Sequence, residues 1–129
     1  MRLNTKTDYC IRVLIYLQMN QGKVRIQDIA DNYNISKNHL SVAVNLLSEL
    51  GYINTTPGPK GGIEFNQEAK NRSVGELVSQ VELFEIVECF DPESNSCILS
   101  PHCRLKGMLT RASSAFLGEL KKFKIKDLV

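Results

Sequence analysis

The stretch from Ile26 to Asn66 constrains this chain more than any other. Ile26-Gln27-Asp28-Ile29-Ala30-Asp31-Asn32-Tyr33 reads as a short amphipathic helix with Ile26, Ile29, Ala30 and Tyr33 on its apolar face. Asn34-Ile35 makes a tight turn, Ser36 caps a second helix running to Leu50, and Gly51 stops it. Leu40, Ala43 or Val44, Leu47 and Leu50 form the apolar face of that second helix. Tyr52 to Thr56 then reads as a strand, Pro57-Gly58-Pro59-Lys60-Gly61-Gly62 as a turn, and Ile63 to Asn66 as a returning strand. Two ordinary core helices would account for the first part of this pattern. The hairpin directly after them favours a winged helix-turn-helix.

Upstream, Thr5 followed by Asp8 predicts a helix start, a hydroxyl cap with a carboxylate reaching back. This first helix should run to about Met19, with Cys10, Val13, Leu14 and Leu17 on one face and Ile11 and Ile15 widening it. Cys10 sits inside that stripe and reads as a small core hydrophobe.

Winged helices bind duplex DNA by laying the second helix in the major groove and the wing along the backbone or minor groove. The exposed start of that helix is Ser36, Lys37, Asn38 and His39, then Ser41, Val42 and Asn45 one turn on. Asn pairs with adenine edges, Lys meets guanine or phosphate, and Ser contacts either. Lys60 at the wing tip, with Arg2, Lys6 and Arg25, would supply phosphate contacts. Double-stranded operator DNA is therefore the expected partner.

The second half is built differently. Ser73-Val74-Gly75-Glu76 is a capping box for a helix through about Val81. Leu83 to Val87 leads as a short apolar segment to Cys89, Cys97 and Cys103, three of the four cysteines within fifteen residues and spaced C-x7-C-x5-C. Prolines, serines, Asp91 and Asn95 between them predict a loop without regular structure. From about His102 to Phe123, Leu105, Met108, Leu109, Ala112, Phe116, Leu120 and Phe123 recur at three- and four-residue steps, the mark of a long amphipathic helix. That helix either closes its own core or forms a dimer seam; a DNA reader with one recognition helix favours the seam. Lys124 to Val129 carries no signal. The expected fold is thus mainly α with a small β-hairpin wing. Residues 1–72 form the winged helix-turn-helix, and residues 73–129 the cysteine loop and dimerisation helix.

With 129 residues and 43% hydrophobic content, the chain is one soluble domain's worth. It has no apolar run of the roughly 20 residues a membrane span needs. Its start lacks an apolar signal core, which predicts a cytoplasmic protein with reduced thiols. The net charge of +2 announces no partner, although five acidic residues cluster from Glu82 to Glu93 and seven basic ones from Arg104 to Lys126. There is no dinucleotide-binding glycine motif, no P-loop and no Ser/His/Asp arrangement, so an enzyme is not expected.

Three close cysteines on a loop leave three chemistries open. An iron–sulfur cluster takes thiolates with four ligands in all. Zinc would accept the cysteines with His102, but its usual ligand pairs lie two to four residues apart, and none is present. A thiol–disulfide sensor needs two cysteines and leaves the third unexplained. Spacing alone leans toward the cluster.

Several segments carry a more specific resemblance. Ile35-Ser36-Lys37-Asn38-His39-Leu40, Leu50-Gly51-Tyr52-Ile53, Gly61-Gly62-Ile63 and Val74-Gly75-Glu76-Leu77-Val78 are four of them. Val87-Glu88-Cys89-Phe90-Asp91 and Leu99-Ser100-Pro101-His102-Cys103-Arg104-Leu105-Lys106-Gly107 are the most specific. Together they resemble the bacterial iron–sulfur winged-helix regulators typified by IscR and NsrR, the nitric-oxide-sensitive repressors above all. The resemblance implies a homodimeric repressor holding a cluster on Cys89, Cys97 and Cys103, 4Fe–4S rather than 2Fe–2S. It makes Asp8 of the other subunit the fourth ligand and nitric oxide the signal. The capping role of Asp8 stays open beside that one. The family's wing commonly carries arginines where Pro57 and Pro59 stand here, leaving Lys60 as the wing's cation. The alternative is a regulator of the same fold that senses redox state through its thiols or binds zinc.

Overall fold

The computed structural model describes all residues, Met1–Val129, and the chain folds as two compact units. The first comprises Leu3–Arg72 with Lys124–Val129, and the second Met1–Arg2 with Ser73–Phe123.

The first unit opens with α1 (Thr5–Met19). Its cap is Asn4 rather than Thr5: the Asn4 carboxamide oxygen accepts from the Thr7 N–H at 2.8 Å and from the Thr7 hydroxyl at 3.1 Å. Thr7 is thereby satisfied while fully buried. Asp8 does not reach back as a capping carboxylate; it lies one turn into the helix and pairs forward with Arg12. The expected face of Cys10, Val13, Leu14 and Leu17 is the buried one. Next come α2 (Ile26–Tyr33) and α3 (Lys37–Glu49). Asn34 between them takes a left-handed conformation at φ 54°, which asparagine tolerates, and the Ile35 N–H closes on the Ala30 carbonyl at 2.9 Å. Ser36 holds the cap position of α3 without a side-chain bond. Leu40, Ala43, Val44 and Leu47 are buried, and Gly51 at φ +83° ends the helix.

The wing is β1 (Ile53–Thr56) paired antiparallel with β2 (Gly62–Phe65); β1 starts one residue later than expected, at Ile53, and β2 is shifted back by one residue, taking Gly62 from the turn and leaving Asn66 outside. Tyr52 is fully buried instead, and Arg72 covers its ring at 3.8 Å while donating to the Leu50 carbonyl at 2.7 Å. The last six residues, silent in the sequence, are structural. Ile125–Leu128 forms a 3-10 turn with Ile125 fully buried. The Ile125 N–H donates to the Arg72 carbonyl, and the Gln18 amide donates to the Ile125 carbonyl at 3.1 Å.

The second unit pairs α4 (Val74–Val81) with α5 (Arg104–Leu120). Ser73 caps α4 by accepting from the Glu76 N–H at 2.9 Å. Gly75 brings the two helices together: a Cβ there would lie 2.8 Å from the Leu117 carbonyl and 2.7 Å from the Lys121 nitrogen. Phe84, at φ 53°, meets Phe116 edge-on at 5.9 Å. The long helix is shorter than its apolar period suggests. Ser100–His102 forms a separate 3-10 turn, and extended backbone at Cys103 delays the α-helix to Arg104. The loop is likewise not wholly irregular, since Glu88–Phe90 makes a second 3-10 turn around Cys89.

Candidate nucleic-acid interface and metal centre

On α3, Lys37, Asn38, His39 and Asn45 are exposed, as is Ser36 before it. Ser41 is half-buried and its hydroxyl donates to the Lys37 carbonyl at 2.8 Å, so it is partly committed to its own helix. Two grooves flank the start of α3. One, of about 330 Å³, is lined by Thr5, Lys6 and Tyr9 of α1 with His39 and Val42 of α3. The other, of about 440 Å³, places Lys37 beside Arg25, Thr55 and the wing turn at Gly58 and Pro59. The Arg25 guanidinium also donates to the Pro59 carbonyl at 3.4 Å, bracing the wing. Lys60 is exposed at the wing turn. Arg2 is exposed but belongs to the other compact unit.

The fold therefore gathers Lys6 and His39 on one side of the helix start and Lys37 and Arg25 on the other. Tyr9 and Thr55 also line these grooves. The three-residue step from Lys6 to Tyr9 along α1 is the sequence signal for the first; Thr55 carried none.

Cys89, Cys97 and Cys103 are free, half-buried thiols on the segment between α4 and α5. From Glu88 to Cys103 the hydrogen bonds that hold this segment are local ones. Asp91 accepts from the Glu93 N–H at 3.1 Å and the Ser94 hydroxyl at 2.7 Å, which hold its carboxyl below the usual range. Asn95 donates to Ser100 at 2.9 Å and accepts from the Cys97 N–H at 3.0 Å. No three His, Cys, Asp or Glu side chains converge as a metal site within the single chain. Cys89 borders an open apolar groove of about 380 Å³ with Leu83, Phe84, Phe90 and Leu117.

In donor chemistry the loop fits an iron–sulfur cluster: three accessible sulfurs on backbone held by local turns that can reshape around a rigid group. Asp8 is equally accessible. Its oxygen lies 3.1 Å from Arg12, and both side chains are 44% exposed, so the pair holds it weakly. Cys10 is excluded from ligand chemistry: burial pushes its thiol up to about 12, and it points a weak bond at the Ala43 carbonyl.

The family described as "Rrf2: Iron-dependent Transcriptional regulator" matches residues 3–129. The chain belongs to the Rrf2 family. Among curated Rrf2-like relatives, the HTH-type transcriptional regulator NsrR of Shouchella clausii is 44% identical over all of this chain and 89% of its own length. NsrR of Bacillus subtilis is 43% identical over all of this chain and 90% of its own. The Staphylococcus aureus CymR crystal structure superposes with TM-score 0.71 at 25% identity, covering 95% of this chain and 93% of that one. T. potens IscR reaches 0.74 at 18% identity, covering 99% and 85%, a likeness of fold. This Rrf2 protein is accordingly a winged-helix transcriptional regulator and not an enzyme. None of its helices is long and apolar enough to cross a membrane.

Proposed function

We propose that this Rrf2 protein is a cytoplasmic, homodimeric repressor whose hold on operator DNA is set by an iron–sulfur cluster, 4Fe–4S in type, that reacts with nitric oxide. The observation carrying this reading is the cysteine loop: three free, accessible thiols spaced C-x7-C-x5-C in a chain 44% identical, end to end, to a regulator named NsrR. Cys89, Cys97 and Cys103 would hold the cluster, with Asp8 of the second subunit as fourth ligand. Bound there, the cluster supplies iron open to attack by nitric oxide.

The chain's own part is to convert ligation into order. With its thiolates held, the loop from Glu88 to Cys103 would be fixed; released, it keeps only local turns, those at Asp91 and Asn95 among them. Asp8, freed of its weak pairing with Arg12, would tie the opening of α1 to that loop in the partner, so the two recognition helices share one register. Ser36, Lys37, Asn38, His39, Ser41 and Asn45 read the major groove, while Lys6, Lys60 and Arg2 meet phosphates. Dimerisation is supported by α5, which buries no residue although Leu105 and Met108 are 54% and 53% exposed on it. A coupling of about 1–3 kcal/mol between ligand and DNA sites is typical of such switches.

Protein purified without oxygen should contain iron and sulfide and absorb in the visible, and Cys97→Ala should lose both while remaining a folded dimer. A colourless protein containing zinc, or neither metal, would transfer the reading to a thiol or zinc sensor of the same fold.

A further inference from the structure

One apolar side chain of α3 faces outward from the core. Val42 is 52% exposed in the middle of α3, although valine is a poor helix former and contributes nothing to the core from there. It lies four residues after Asn38 and three before Asn45, so the three share one face. Asn38 and Asn45 are both exposed, and no hydrogen bond within the chain occupies either amide. Ser41, the hydroxyl beside them, is turned back onto the Lys37 carbonyl. The outward stripe therefore reads amide, methyls, amide. It spans roughly 10 Å at about 1.5 Å per residue, or about three base-pair steps of ~3.4 Å.

The flanks of the stripe are cationic. Lys6 lines the groove that Val42 itself borders, and Lys37 with Arg25 lines the groove on the other side of the helix start. An apolar group presented between carboxamides and flanked by phosphate-binding cations matches one feature of the major groove, the 5-methyl of thymine. That methyl is the only apolar group a base pair shows there, and aliphatic side chains read it by contact.

We infer that Val42 is a specificity-determining residue that recognises the 5-methyl group of one thymine in each half-site, between the bases met by Asn38 and Asn45. This rests on the reading of α3 as the helix that enters the major groove. Burying one methyl-sized group is worth about 0.8 kcal/mol, which at about 1.4 kcal/mol per decade is a roughly fourfold change in affinity.

The test uses full-length protein and a duplex that it selects from a random-sequence pool. Each thymine is replaced in turn by deoxyuridine, which removes only the methyl. At one position per half-site, binding of the unsubstituted protein should weaken about fourfold. Val42→Ala should bind the thymine and uracil duplexes equally, Val42→Thr should keep part of the difference, and Asn38→Ala should keep all of it. Circular dichroism checks that the variants fold. Uracil tolerated at every position, or an undiminished difference in Val42→Ala, overturns the inference while leaving α3 as the reading helix. A pool from which no duplex is recovered overturns that helix assignment as well.

Discussion

Cys10 and Ile125 show how single side chains set the limits of this protein. Burial holds the Cys10 thiol neutral, raising it from an ordinary 9.0 to about 12. The folded state thus binds that proton more tightly than the unfolded chain. The stabilisation is complete below about pH 9 and is lost as pH rises through about 12. Denaturant midpoints should fall across that window, and fall less in Cys10→Ala, which has no thiol to ionise. A thiol-reactive dye should count three cysteines in the native, metal-free protein and the fourth only after unfolding. Four native counts would remove Cys10 from the core. Ile125 is the complementary case, a fully buried side chain two residues past the helix expected to end at Phe123. Its replacement by Ala should cost about 2–5 kcal/mol in urea unfolding. A change of a few tenths would mean that the tail is only draped on the surface.

At the scale of elements, the contact between α4 and α5 depends on Gly75. Any Cβ there meets backbone of Leu117 and Lys121, which cannot swing aside as a side-chain end would. Gly75→Ala should therefore separate the helices and destabilise the second unit by about 1–3 kcal/mol, measured by thermal melting. An unchanged melt would show that the helices slide apart freely. The same elements show what is readable before folding. The span of α3 follows from local signals, Ser36 before it, Gly51 after it and an unbroken apolar period between. The cap of α1 falls on Asn4 rather than Thr5, both good caps, because the buried Thr7 hydroxyl needs the acceptor that Asn4 supplies. The apolar period overruns the end of α5, where Phe123 lies past Leu120, and the expected start at His102 falls in the 3-10 turn before Cys103, whose extended backbone no periodicity records. Ile125 carries no local signal, since the groups its backbone bonds to, Gln18 and Arg72, are distant in sequence. The cysteine spacing picks out the three thiols proposed as ligands, but no spacing encodes where their sulfurs would sit around a bound group.

For the whole molecule, the proposed dimer seam is the exposed apolar face of α5 with Leu105 and Met108. Placing a carboxylate at its centre, Met108→Glu, should convert the dimer to monomers in sedimentation and weaken DNA binding with it, because two half-sites are read together. A dimer undisturbed by that change would put the seam elsewhere. The central claim is that the state of the cysteine loop sets the grip on DNA. The direct measurement is an anaerobic titration of the protein on its selected duplex with nitric oxide, following visible absorbance and DNA affinity in the same samples. The account predicts that affinity falls roughly 5–150-fold in step with loss of absorbance, and that Cys97→Ala starts at the low value. Affinity that holds steady while the absorbance disappears would contradict it.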